Sequence, residues 1–461
     1  MLYKQAERQM QQLRENTYRK IRADRKVAVI GSGISGLSAA WLLSRSCQVT
    51  LFEADGRPGG HSNTVDVAIG DRNIPVDTGF IVYNERNYPN LTALFSYLGI
   101  ETEASEMSFA ASLDNGAFEY GGSNIATLLA QKSNILRFSF WRMVYDIFRF
   151  YRHAPSIAKT STDRDLTLGD YLDARGYSKR FVQDHILPMG AAIWSTTPEQ
   201  MRAYPLAAFT RFFESHGLLS LVDRPQWRTV TGGSRVYVTR MLEQISGPVH
   251  LNTPVQRIIR EKDGVRLFVD DAEERFDAVI VATHGDQALK LLDDAGEEEQ
   301  RLLSAFRYTT NEAWLHSDER LMPAHRKVWS SWNYLERRDG GAPSLCVTYW
   351  MNRLQNIDER IPLFVTLNPC EAIRPELVHE RLTYTHPLFD KAAIEAQRDL
   401  WRIQGRGNVW YCGAHFGSGF HEDGLQSGLA AAEAVAGVRR PWTVNDESGR
   451  IFLEPERVAA E

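Results

Sequence analysis

Short apolar runs bounded by glycine-rich turns dominate the first part of the chain. Lys26-Val27-Ala28-Val29-Ile30 has the uninterrupted apolar character of a strand covered on both faces of a parallel sheet. A glycine-rich turn follows, then a helical stretch from Leu37 to Arg45 and a second strand, Gln48 to Phe52. A hairpin-like pair turned at Gly70-Asp71 leads to Asp77-Thr78-Gly79-Phe80. Thr231-Gly232-Gly233-Ser234 opens a helix through Leu242, and strand-like Val249 to Leu251 follows. Val255 to Arg260 and Val265 to Val269 pair about Asp263-Gly264, and Phe276 to Thr283 predicts another buried parallel strand. Near the C-terminus, Asn408 to Ala414 predicts a buried strand ending in small residues, ahead of an Ala-rich helix to Val435. Strands alternating with helices in this way predict an α/β fold.

A second pattern occupies the middle. Ala313–His316, Val328–Trp332, Leu345–Trp350 and Leu363–Leu367 are short runs of aromatic and β-branched residues, the composition of a sheet. Tyr349 and Trp350 are candidate pocket walls, although alternation sends only one of them to a given face. Asn134 to Arg152 predicts a helix. At about 100° per residue, Leu136, Phe140, Met143, Val144, Ile147, Phe148, Phe150 and Tyr151 gather on one side. Arg137, Arg142, Asp146, Arg149 and Arg152 take the other, with Trp141 and Tyr145 among them. Such a helix faces a core, or its arginine-aromatic side meets a membrane interface or the mouth of a lipid tunnel.

Composition narrows the class. The 461 residues are 43% hydrophobic and 24% charged, an ordinary globular balance that allows about two or three domains. Lys+Arg 53 against Asp+Glu 58 leaves −5, too balanced for a protein that grips nucleic acid over its whole surface. The four cysteines carry no C-x-x-C spacing, so neither a disulfide framework nor a metal knuckle is expected. No run approaches the roughly 18 apolar residues of a spanning helix, so the expected location is cytoplasmic. Residues 1 to 26 stand apart, with eight Lys/Arg and three Asp/Glu and no apolar signal region. They predict a basic leader helix over about Tyr3 to Ile21, either solvated or attached peripherally to an anionic membrane.

Chemistry is concentrated at the first turn. Gly31-Ser32-Gly33-Ile34-Ser35-Gly36 places G-x-G-x-x-G between a strand and a helix. Gly31 makes the tight turn, Gly33 admits a pyrophosphate against the amides of the helix start, and Gly36 lets helix and strand pack closely. Glu53 ends the second strand 22 residues after Gly31, where a carboxylate accepts both ribose hydroxyls of an adenosine. Glu53-Ala54-Asp55-Gly56-Arg57-Pro58-Gly59-Gly60-His61 extends this fingerprint with a basic residue and a glycine pair.

That extended stretch resembles the flavin monoamine oxidase, phytoene desaturase and protoporphyrinogen oxidase superfamily, whose members carry E-A-x-x-R-x-G-G-R. The resemblance runs over about residues 26 to 436. It implies FAD, held by Gly31, Gly33, Ile34, Ser35, Gly36, Glu53, Ala54, Arg57 and Gly60. His61 stands where the superfamily usually has arginine, and is expected to bond structurally or to face the flavin. The resemblance also implies that Gly79 and Phe80 pass the flavin ring and that the Val255 backbone meets adenine. It further implies that Gly413, Gly424 and Leu425 lie at the flavin, with Asp423 at a position where the superfamily has glycine. The implied architecture is a discontinuous Rossmann-like FAD domain (26–88, 232–286, 404–440) and an α+β substrate domain on a mixed sheet (89–231, 287–403). A leader (1–25) and a tail (441–461) flank them.

Ala192-Ile193-Trp194-Ser195, Pro225 to Ser234, Ala282-Thr283-His284, Val347 to Asn352 and His421 to Gly424 narrow the resemblance. They are similar to a bacterial flavoprotein group and to the flavin domain fused ahead of plant cyclopropane fatty acid synthases. That company implies a lipid or other apolar substrate and desaturation of a methyl-branched acyl chain. Amine oxidation is the other enzymatic expectation, although Lys290, Lys327 and Lys391 fall in no matching lysine motif. A flavin-free binding module like the guanine-nucleotide dissociation inhibitors is a third. His216 is a possible base but is expected to be structural, and no catalytic residue stands out.

Overall fold

The computed structural model describes residues 24–122, 124–160, 166–194, 196–219, 224–338 and 344–453. The expected leader helix lies outside the described residues. The frame is a parallel sheet of five strands, in the order Val249–His250, Gln48–Phe52, Lys26–Ile30, Ala278–Val281 and Val409–Tyr411. Its central strand is apolar from Val27 to Ile30 because its two faces enter different cores. Val27 and Val29 pack with Leu37, Leu42 and Leu429 on one side. Ala28 and Ile30 pack with Leu267, Phe276 and Ala396 on the other.

The helix after the first strand runs Ile34–Leu43, three residues earlier at its start than apolar periodicity alone places it. The glycine turn itself supplies its first residues. Every residue of this helix is buried, because the C-terminal His421–Ala436 helix lies across it. Gly428 makes that crossing possible. A Cβ there would lie 2.1 Å from Ser35 O and 2.4 Å from Ser38 Oγ.

The second sheet has seven strands. Its order is Val378–Leu388, Arg307–His316, Phe364–Leu367, Ser344–Trp350, Trp332–Arg337, Phe109–Leu113 and Phe118–Gly121. It is mixed, since Trp332–Arg337 runs parallel to Phe109–Leu113 while the other pairs are antiparallel. The fold is therefore α/β with a parallel nucleotide-binding sheet and a separate mixed sheet.

Several expected boundaries move. Phe276 closes the hairpin strand Ala272–Phe276, and the parallel strand starts only at Ala278. Of Val328–Trp332, only Trp332 belongs to a strand, as the first residue of Trp332–Arg337. A short 3-10 turn, Arg326–Val328, precedes buried Ser330 and Ser331, whose amides are taken by Asn333 Oδ1 (2.9 Å) and Ser108 Oγ (3.0 Å). The eleven-residue strand Val378–Leu388 escapes an apolar-run search because it is an edge: it pairs only with Arg307–His316, so polar residues and Pro387 are tolerated. Tyr83–Asn84, Trp227–Val230 and Thr102–Ser105 form one small sheet that straddles the expected boundary at 88/89. Residues 288–306 and 393–403 pack into the core beneath the parallel sheet, not beside the mixed one. The start of the expected tail is docked as well, with Trp442 stacked on Trp41 at 5.7 Å.

Gly428→Val is expected to destabilise the protein by about 1–3 kcal/mol through overpacking, read as a lower melting temperature of the flavin-loaded protein. Ala434→Val, on the exposed face of the same helix, is the control expected to leave it unchanged.

Candidate active site

Between the two sheets lies a cavity of about 1200 Å³. At one end, Gly31 adopts φ +99°, and a Cβ there would sit 2.9 Å from Ala282 O. A Cβ on Gly36 would sit 1.9 Å from Gly31 O. Those two glycines serve packing inside the protein. Gly33 differs: a Cβ there would meet nothing within 4 Å, and the residue lines the cavity with Ile34 and Ser35. No side chain caps the Ile34–Leu43 helix, so its first amides are left for an anion in the cavity.

Glu53 is fixed at this end. Its Oε2 accepts from the Ser32 amide (2.8 Å) and the Ser32 hydroxyl, and its Oε1 accepts from the Asp55 amide (3.0 Å). Ala54 and Val255 line the same end, and the Thr253 amide donates to Glu53 O at 2.8 Å. The following loop folds onto the glycine turn, where a Cβ on Gly60 (φ +57°) would lie 3.1 Å from Gly33 Cα. Arg57 and His61 line the cavity, and Arg57 Nη1 and His61 Nε2 are buried polar atoms without a partner among the described residues.

Further in, the His61 ring stacks on Tyr384 at 4.9 Å. Gly79 lines the cavity, but its glycine is required by backbone: a Cβ would lie 2.3 Å from His61 O. Phe80 donates its amide to His61 O (2.7 Å) and stacks on His421 at 3.8 Å. His421 Nε2 meets Tyr237 Oη at 2.7 Å and Ser62 Oγ at 3.0 Å. From the C-terminal strand, Gly413 lines the cavity and is clamped by Ser427 Oγ, which accepts from its amide and donates to its carbonyl, both at 3.0 Å.

Gly424 and Leu425 depart from expectation. They lie inside the helix and off the cavity wall, where Ser418, Gly419, Phe420 and His421 stand instead. The Gly424 amide donates to Phe420 O (3.1 Å), and a Cβ there would lie 2.8 Å from Ile34 Cγ2. Leu425 is core. The helix starts at His421, so the residues read as its start are already within it. Asp423 accounts for that early start: its Oδ2 accepts from the Phe420 amide (2.8 Å), and Oδ1 pairs with half-buried Arg450 at 2.6 Å. Trp350 also leaves the pocket, meeting Trp329 edge-on at 5.3 Å, while Tyr349 lines it, as strand alternation requires.

The feature that sequence patterns missed is histidine. Seven of the twelve histidines line this cavity: His61, His185, His216, His284, His386, His415 and His421. No spacing links them, because they come together only through tertiary structure. Burial pushes His185, His216, His415 and His421 down to about 3 and His386 to about 4. Burial, with neighbouring histidines and Arg57, lowers His61 well below its usual value. All are neutral near pH 7. His216 Nδ1 lies 2.9 Å from Phe212 O and so carries the proton, leaving Nε2 without a partner.

A glycine open to the cavity, uncapped helix amides, an anchored carboxylate at the ribose position and two orphaned buried nitrogens fit an adenine dinucleotide carrying a flavin. The site defines a FAD-dependent oxidoreductase. The family model of flavin containing amine oxidoreductase matches residues 34–359, and the chain belongs to that family. It is similar over 42 residues (57% identity, 9% of this chain and 8% of the relative) to protoporphyrinogen oxidase 2, chloroplastic/mitochondrial, of Arabidopsis thaliana. Two solved structures share the fold. Cyclohexylamine oxidase from Brevibacterium oxydans is 18% identical, with TM-score 0.66 over 90% of this chain and 99% of that one. The CLA-producing fatty acid isomerase from P. acnes is 15% identical, with TM-score 0.63 over 90% and 98%. Among the described residues no helix is long and apolar enough to cross a membrane.

Glu53→Ala removes the anchored carboxylate at this end of the cavity and strands the Ser32 and Asp55 amides. FAD retention after dialysis is expected to fall by about 1–3 kcal/mol of binding, read as flavin released per chain. The histidines generate a pH prediction. Their folded values lie below the unfolded 6.5, so on acidification the unfolded chain takes up protons first. Their contribution is full above about pH 6.5 and is lost as pH falls toward 3 to 4, by up to ~1.4 kcal/mol per pH unit for each fully buried ring. Melting temperature is expected to fall steeply from pH 6.5 to 4.5, and a flat profile contradicts the buried neutral cluster.

Proposed function

We propose that this oxidoreductase removes hydrogen from an apolar acyl chain and leaves a double bond. The observation that carries the reading is the distribution of charge along the cavity. Among the described residues, the carboxylates on its wall are Glu53 and Asp55, both at the nucleotide end. The other half is walled by side chains such as Phe109, Val144, Ile147, Met189, Ile193 and Tyr349. A saturated or branched chain loses water on entering and meets no carboxylate there; beyond Arg57, the cations among the described wall residues are Arg224 and Lys290. A protonated amine would be desolvated there with no carboxylate to pair with.

FAD, when bound, supplies the acceptor for a hydride from carbon. Gly33, Glu53, Arg57 and His61 hold its nucleotide side, and Gly79, Phe80, Gly413 and His421 border the inner half. The aromatic and aliphatic wall orients the chain and excludes water. With no carboxylate in that half, the proton leaving the neighbouring carbon passes to a neutral imidazole with a nitrogen unpaired among the described residues, such as His216 Nε2. The fold is compatible with such a substrate, since by its name the P. acnes protein acts on a fatty acid.

Anaerobic mixing of the yellow protein with straight and methyl-branched fatty acyl chains tests the reading. The flavin absorbance is expected to bleach, with a product two hydrogens lighter. Ile147→Trp, which fills the wall, is expected to slow bleaching about tenfold or more while leaving flavin content unchanged. Bleaching by soluble amines such as cyclohexylamine, with none by acyl chains, would replace this reading with amine oxidation.

A further inference from the structure

Seven of the nine large apolar side chains exposed among the described residues lie between Ile125 and Phe148. Leu136 is 90% exposed, Phe138 86% and Ile125 75%. On the Phe138–Thr160 helix, Phe138, Trp141, Tyr145 and Phe148 follow one another at steps of three and four, which places them in one stripe. The opposite side of the same helix is equally apolar, with Phe140, Met143 and Phe150 fully buried. A helix that is apolar on both sides needs a second apolar neighbour.

Charge selects that neighbour. Lys132, Arg142 and Arg152 are exposed around the stripe. The one acid between residues 124 and 153 is Asp146, and it is turned fully inward. It is held there by Arg142 (3.3 Å), Arg149 (3.0 Å) and the Ser178 amide (2.9 Å). The surface is therefore apolar and cationic, with no exposed carboxylate in this segment. A second copy of the chain would bring arginines against arginines. An anionic lipid surface offers both a place for the aromatics and counter-charge for the cations. The patch also adjoins the cavity, since Ile125 and Phe148 belong to both and Leu128, Val144 and Ile147 continue inward.

We propose that this face docks on an anionic bilayer, with Leu136, Phe138 and Trp141 among the acyl chains and Lys132, Arg142 and Arg152 at the headgroups. A lipid chain then enters between Ile125 and Phe148. The entry step rests on the acyl-oxidation reading, whereas docking stands on the surface itself.

The test is flotation of the full-length, flavin-loaded protein with two kinds of vesicle: phosphatidylcholine alone, and phosphatidylcholine with about one-third phosphatidylglycerol. The protein is expected to float with the anionic vesicles at low salt and to be released as salt rises. Lys132→Glu with Arg152→Glu is expected to weaken partitioning on the order of fivefold or more per cation. Leu136→Ser with Phe138→Ser is expected to weaken it about tenfold or more, with melting temperature and flavin content unchanged, because both side chains stand in solvent. Failure of the wild type to float overturns the proposal. So does flotation that survives Leu136→Ser with Phe138→Ser, which would assign binding to another segment. A concentration-dependent dimer abolished by the same pair would assign the face to a second copy. Flotation is read without turnover, so a failure of acyl oxidation and a failure of docking are separate results.

Discussion

The site depends on one close approach: the backbone of the Gly31–Gly36 turn against Ala282. Gly31 lies so near the Ala282 carbonyl, and Gly36 so near Gly31, that no side chain fits at either place. This contact brings the first helix down onto the central strands and presents its uncapped amides to the cavity. Other elements fasten to the same point. Glu53 ties the second strand to Ser32, and the Gly59 amide donates to Ser32 O at 3.1 Å. Segments far apart in the chain therefore share one fixed reference, as a dinucleotide site demands.

The C-terminal helix reaches that reference through a different device. Glu422 and Asp423, both fully buried, open the helix. Asp423 faces Arg450, while Glu422 accepts from the Asn90 and Leu91 amides at 3.0 Å each and from Gln426. Burial raises both carboxyls and Arg450 opposes the rise. A buried cluster of this kind adds little net stability, yet removing one member leaves the rest unpaired. Its effect is positional. It fixes the start of the helix at His421, and so sets the ring that Phe80 stacks on and that Tyr237 and Ser62 bond.

How much of this was legible follows from the range of the forces involved. The Gly31–Gly36 turn and Glu53 could be read because each role is local: a tight turn, a close approach, an acid at a strand end. The roles of Gly79 and Gly424 could not, since the atoms that exclude a side chain there, His61 O and Ile34 Cγ2, belong to other segments. The Val378–Leu388 edge strand lacks an apolar run because only one neighbour pairs with it. The Asn134–Arg152 helix shows the same limit from the other side. A two-face division put Leu136 and Phe148 inside and Asp146 outside. The fold exposes both apolar residues and buries the acid, because Asp146, paired with Arg142 and Arg149 of its own helix, also accepts from the amide of Ser178, which the sequence does not bring near it.

The histidine at position 61 connects these points to the electrostatics of the cavity. A permanently charged arginine at this place would put a second cation beside Arg57. His61 is instead driven neutral by burial, by three neighbouring histidines and by Arg57 itself, and it stacks on Tyr384. The remaining cavity histidines are neutral as well, so beyond Arg57 the inner wall carries dipoles and rings and few fixed charges. In such a medium a helix start acts more strongly than it does in water. The His421–Ala436 helix begins at the cavity wall, and the buried Glu422 and Asp423 of its first turn lie at its positive end. Neutral histidines and an apolar wall thus meet one requirement: to surround the inner half of a flavin site with rings and dipoles and few fixed charges.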